Sequence, residues 1–81
     1  MQTVNFTNVL CCDVRVNEFE GKDYYSVIVY SDGRVYRISL PDSFIHAFDK
    51  FIGSYVSFVA DIRIYDGKAK YKYEGSEIIK K

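Results

Sequence analysis

Residues 27–39, "VIVYSDGRVYRIS", compress a strand, a turn and a returning strand into one short ribbon. Asp32-Gly33 is the signature of a two-residue type I′ turn, which requires φ > 0 at both central positions and pairs Ser31 with Arg34. Stepping back along both arms, Val29 faces Tyr36, Val27 faces Ile38 and Tyr25 faces Leu40. That set is apolar and is assigned to the core. The opposite side carries Tyr30 with Val35, Ile28 with Arg37, Ser26 with Ser39, and Tyr24 at the head of the strand. A slip of one residue would exchange the two faces entirely, so the register is decisive.

A second ribbon closes the same way around Asp66-Gly67. Its register pairs Tyr65 with Lys68, then Ile64 with Ala69, Ile62 with Tyr71 and Ala60 with Tyr73 on the core side. The outer side then holds Tyr65 and Lys68, Arg63 opposite Lys70, and Asp61 opposite Lys72. Like charges directly across a ladder are unfavourable unless an anion offsets them. Lysines on an exposed strand also discourage edge-to-edge aggregation, which accounts for Lys70 and Lys72 better than for Arg63.

Between and before these ribbons the pattern remains that of strands. A first strand runs from about Thr3 to Asn17, alternating through Val4, Phe6, Leu10, Cys12, Val14 and Val16, with Asn8 breaking the series as at a bulge. "NEFEGKD" (17–23) reads as a loop, Tyr24–Tyr30 as the second strand and Arg34–Leu40 as the third. In "PDSFIHAFDKFIG" (41–53) the period changes. Phe44, Ile45, Phe48, Phe51 and Ile52 share one face of a short amphipathic helix, capped by Asp42 or Ser43 and stopped by Gly53. Val56–Ile64 and Lys68–Glu74 complete the strands. The expected fold is all-β: a five-stranded Greek-key barrel with one short helix between strands three and four, the Phe44, Phe48 and Phe51 face plugging its open end, in a single domain over 1–81.

Composition sets the outer bounds. The chain has 81 residues, 48% hydrophobic and 27% charged, with 11 basic against 11 acidic side chains. This suits a small globular domain, and a net charge of zero gives no overall field toward a polyanion. The basic residues concentrate late: Arg63, Lys68, Lys70, Lys72, Lys80 and Lys81 follow residue 51. No apolar run is long enough for a membrane helix, and "MQTVNFTNVL" carries no basic n-region before an apolar stretch, so a cytoplasmic protein is expected. Adjacent Cys11 and Cys12 point to opposite faces of a strand and are read as free thiols, Cys12 inward and Cys11 outward. With His46 they make too small a set for zinc. His46 falls away from the aromatic face of the helix and is read as solvated. Asp13, Glu18, Glu20 and Asp23 match no calcium-loop spacing. No metal, no cofactor and no catalytic constellation is implied.

The order strand, strand, strand, helix, strand, strand, with the closing "SYVSFVADIRIYDGKAKYKYEGSEI" (54–78), resembles OB-fold single-stranded-DNA-binding proteins of bacterial and phage type. The chain has no Trp and closes on "EIIKK", where the bacterial proteins carry a long tail with an acidic tip. The resemblance implies a binding face on the outside of strands two and three, flanked by the loops after strands one and four. On that reading Tyr24, Tyr30 and Tyr65 stack on bases while Arg37, Arg63, Lys68, Lys70 and Lys72 hold the backbone. The partner is single-stranded DNA, with RNA as an alternative, in a replication, recombination or mobile-element setting. The rival reading is a protein-interaction module, or a homodimer or higher oligomer, that buries the same face around Ile28 and Val35.

Overall fold

The computed structural model describes residues 2–81. Six strands make up most of it: β1 Gln2–Phe19, β2 Lys22–Ser31, β3 Arg34–Leu40, β4 Tyr55–Tyr65, β5 Lys68–Tyr73 and β6 Ile79–Lys80. The long β1 pairs antiparallel with β2 through its second half and with β4 through its first. β3 meets β5 in parallel, and β5 returns to β4 antiparallel. The order β1-β2-β3-β5-β4 therefore closes back on β1. This is a closed five-stranded barrel with OB-like connectivity, and no sheet edge runs its full length.

Both Asp-Gly ribbons have the register their turns dictate. Ser31 pairs with Arg34 and Val27 with Ile38; Tyr65 pairs with Lys68 and Ile62 with Tyr71. Asp32 and Gly33 sit at φ 50 and 79, Asp66 and Gly67 at φ 49 and 76. A third hairpin of the same kind, Glu20-Gly21 at φ 51 and 76, joins β1 to β2. The stretch 17–23 expected as a loop is thus strand up to Phe19 and again from Lys22. The one Gly dipeptide in "NEFEGKD" is enough for a two-residue turn, and the acidic residues on either side merely face solvent.

β1 carries two irregularities, and together they reassign its faces. Asn8, at φ 52, lies in a bulge between the Phe6↔Phe58 and Val9↔Val56 pairs. Cys12 lies in a second, between Cys11↔Val29 and Asp13↔Ile28. Each adds one residue to β1 and reverses its alternation. Phe6, Val9 and Cys11 consequently point inward and are buried, while Cys12 is exposed. The expected orientation of the two cysteines is inverted, because one bulge at Asn8 already shifts everything after it. Leu10, still paired with both Tyr30 and Tyr55 in the barrel wall, falls between inward Val9 and Cys11 and is only half-buried; Val16 is exposed, since β1 has by then left β4 for the β1–β2 hairpin.

No α-helix forms between β3 and β4. Residues Asp42–Phe44 and Asp49–Phe51 are two 3₁₀ turns, with i→i+3 bonds such as Phe44 N to Pro41 O at 2.8 Å and Phe51 N to Phe48 O at 2.9 Å. Neither Asp42 nor Ser43 provides a side-chain cap; the capping position is Pro41. A dozen residues is marginal for an α-helix, and breaking it at Phe48 (φ −104, ψ −3) lets that ring enter the barrel completely. Phe48 packs edge-on against Phe58 and Tyr73, both at 5.0 Å between centroids. Phe44 and Phe51 pack against the core from half-buried positions, and Ile52 is exposed. The segment plugs the barrel end as expected, by 3₁₀ geometry.

Past Tyr73 the chain is tied back to β4. Ser76 Oγ accepts from Val59 N at 3.0 Å and donates to Val59 O at 2.8 Å, and the Tyr73 hydroxyl donates to Ser76 O. Burial holds the Tyr73 hydroxyl above its ordinary pKa. β6 then pairs Ile79 with Ser57 and Lys80 with Val56.

Candidate nucleic-acid interface

Strand directions fix where the functional side chains lie. Because β3 and β5 are parallel, the β4–β5 turn sits at the same end of the barrel as the β2–β3 turn; the β1–β2 turn sits at the other. On the outer face Ser39 pairs with Lys72 across β3 and β5. One step along, Arg37 stands beside Lys70, and both line a cleft of about 260 Å³. Lys70 in turn pairs with Arg63. Arg37, Lys70 and Arg63 therefore form one row across three strands. Lys68 pairs with Tyr65 in the next row, and Lys72 with Asp61 in the one before.

The row is electrostatically unbalanced. No carboxylate lies within 4.0 Å of Arg37, Arg63, Lys68 or Lys70 among the described residues. Lys72 differs, reaching Glu74 at 3.7 Å. Interaction with Tyr65, ahead of the carboxylates of Asp61 and Glu74, holds the Arg63 guanidinium above its ordinary pKa. Asp61 is buried on this outer side, in register between Thr3 and Lys72, and one of its carboxylate oxygens has no hydrogen-bond partner.

The aromatic residues divide into two groups. Tyr65 is exposed within the basic cluster, with the Lys70 ammonium 5.9 Å from its ring centre. Tyr30 is exposed at the same end of the barrel, in register with Val35. Tyr24 lies at the far end of β2 and borders a separate cleft of about 310 Å³ of mixed charge, where Lys22 and Lys72 are joined by Asp23 and Asp42. Lys22 sits over the Tyr24 ring at 5.4 Å. Of the eight residues singled out from sequence, six are contiguous around β5. Tyr24 joins them through Lys72, and Tyr30 stands apart behind Val35.

Two side chains escaped the sequence reading. Lys22 lies in 17–23, a stretch whose composition reads as a loop. Arg34 shares the alternation of Tyr36 and Ile38, on the core side of the ribbon. In the fold it is exposed at the barrel rim, its guanidinium 5.5 Å from the Tyr36 ring centre. Conversely, Ile28, expected as part of an apolar outer patch, is only 9% exposed, and Ser26 beside it is also buried. The outer face of β2 thus offers Tyr24 and Tyr30 but no continuous apolar surface between them.

His46 is exposed, with Nδ1 2.8 Å from Asp49 Oδ2. Among the described residues no three His, Cys, Asp or Glu side chains gather as metal ligands, and no helix is long and apolar enough to cross a membrane. Comparison with known proteins finds no similar protein-family model, curated protein or solved structure.

Proposed function

We propose that this protein binds single-stranded nucleic acid without catalysing a reaction, and with little regard to sequence. The observation that carries the reading is the parallel β3–β5 contact, which sets Arg37 beside Lys70 and so joins the two hairpins' cations into one row. Four cations without carboxylate partners, interleaved with an exposed tyrosine, suit a polymer that presents repeated phosphates and flat bases. Successive lysines at 68, 70 and 72 lie about 7 Å apart along one face of β5, since a strand advances about 3.4 Å per residue. Tyr65 and Tyr24 offer ring faces on which bases would displace the overlying ammonium groups toward phosphate. The preference for DNA over RNA comes from the family resemblance alone.

The test is a titration with a thymidine oligonucleotide followed by tyrosine fluorescence at low and moderate salt. Saturable quenching that weakens as salt rises is expected, because each neutralised phosphate releases counterions. A folded protein that gives no quenching at low salt overturns the reading. A protein-interaction role for the same face draws support from exposed Val35 and Tyr30. It predicts a concentration-dependent increase in sedimenting mass, in the protein alone or with its partner, that an oligonucleotide does not compete away.

A further inference from the structure

β3 and β5 are joined by only two ladder pairs, Ile38↔Tyr71 and Ser39↔Lys72. Toward the hairpin turns the strands splay, and Arg34–Arg37 faces Lys68–Lys70 with no ladder between them. The opening is a cleft of about 360 Å³, lined by Arg34, Arg37 and Lys68 together with Val35, Tyr36 and Tyr71. Its floor is aromatic: the Tyr36 and Tyr71 rings meet edge to face at 5.6 Å, and Phe6 packs edge-on to each of them at 5.4 Å. No carboxylate lines it.

We infer that this splayed seam is a discrete phosphate-binding site, with Arg34 as the residue that sets it apart from the lysine row. Three cations converge on one opening, and none has an acidic partner within 4.0 Å. Such a gathering is unfavourable in the free protein and becomes favourable around a group that concentrates negative charge in a small volume. Arg34 is held over Tyr36, so less side-chain freedom is lost when its planar fork meets an oxyanion. Backbone N–H groups on the facing strand edges add donors without ladder partners, as in other backbone anion sites. Protection against aggregation explains lysines on a free edge; it does not explain an arginine held over a ring at a seam inside the barrel wall.

The source of the phosphate, on the reading proposed above, is the nucleic-acid backbone. A free phosphate compound shares that chemistry, and the experiment separates the two. Inorganic pyrophosphate is titrated into the full chain at constant ionic strength, with backbone amide shifts as the readout. Saturable shifts centred on the seam, at Arg34, Tyr36, Arg37, Lys68 and Ala69, are expected, with affinity falling about tenfold in Arg34→Met, the loss of one charge-assisted contact. Lys68→Met should give a similar loss, and Lys50→Met, remote from the seam, none. Shifts that never saturate, spread over Lys70, Lys72 and Arg63 and ignore Arg34→Met, overturn the inference.

The same variants are then tested with the thymidine oligonucleotide. If wild type binds it and Arg34→Met binds equally well with the same salt dependence, the seam is not a phosphate site on the strand's path, and the broader nucleic-acid reading stands without it. If pyrophosphate saturates the seam while the oligonucleotide does not bind, the nucleic-acid reading falls and the seam stands as a site for a free phosphate compound.

Discussion

The β2–β3 and β4–β5 hairpins are written in the same local code and end in different environments. Both turn on Asp-Gly with nearly equal φ values, and both hold the register that code specifies. In the first, the strand Ser26–Val29 is buried on both faces. In the second, the last turnward pair of the inner face is exposed: Ile64 is 65% accessible, and Ala69 opposite it is exposed too. The expected core position of Ile64 is therefore corrected. β2–β3 is flanked by β1 along its length, whereas β5 parts from β3 after two pairs and carries the tip beyond the barrel wall. One hairpin holds the fold together; the other is free to present cations and a tyrosine.

That contrast sets the largest expected effect. Ile38→Ala, at a fully buried position of β3, should destabilise by roughly 2–5 kcal/mol in urea unfolding. Ile64→Ala should change stability by less than about 0.5 kcal/mol. Equal losses would show that the second hairpin is packed in solution. Binding should reverse the ranking: Tyr65→Ala is expected to lose about 1–3 kcal/mol of oligonucleotide affinity for the base that stacks there. Ile38→Ala, assayed where it remains folded, should bind nearly as wild type.

The turns sharpen the comparison further. Nothing stands within 4 Å of a Cβ added at Gly33 or Gly67, so Ala at either position meets backbone strain alone, about 1–2 kcal/mol. Gly33→Ala should lower global stability by that amount. Gly67→Ala should instead speed hydrogen exchange at Ala69 and leave the unfolding midpoint almost unmoved, because the tip can fray by itself. A smaller effect is expected from Lys70→Ala, which should reduce the slope of log affinity against log salt by about 0.7, one phosphate's worth on a single strand.

The last test reads a thiol count and a pH trend. Burial pushes the Cys11 thiol up to about 11, with Cys12 and Asp13 adding to the effect. Between its ordinary value of 9.0 and that figure, the unfolded chain has lost a proton that the folded chain keeps. Stability from this group is therefore intact below pH 9 and declines from there toward pH 11. At pH 8 a disulfide reagent should modify one thiol per native chain, the exposed Cys12. Cys11, paired with Val29 in the barrel wall, should react only on global unfolding. Rapid reaction of both would place the β1–β2 wall among the regions that open locally.

Legibility in the sequence followed the range of the forces involved. Asp-Gly turns and period-two alternation act over a few residues, and every pair they implied across β2–β3 and β4–β5 is present. The order of strands likewise led to a closed barrel, and Asn8 did mark a bulge. A local rule loses its hold past an irregularity. The bulge at Asn8 is legible in the sequence, but alternation alone does not show that it reverses the parity of Cys11 and Cys12. The aromatic spacing in 41–53 fits a 3.6-residue period, yet the ring of Phe48 gains more by entering the barrel than the segment gains from α-helical bonds.

The sequence by itself determined the hairpin registers, the all-β barrel and the identity of the outward basic residues, because each rests on turn geometry or alternation within one ribbon. Only the tertiary structure decided which of those residues meet. Arg37 and Lys70 lie far apart along the chain and become neighbours solely through the parallel β3–β5 pairing. Arg34 acquires a position at the seam because that pairing stops after two residues. Ile28 is buried although its alternation faces outward. Where strands meet and part depends on closing the whole barrel around Phe48, Phe58 and Tyr73, a condition that no single ribbon contains.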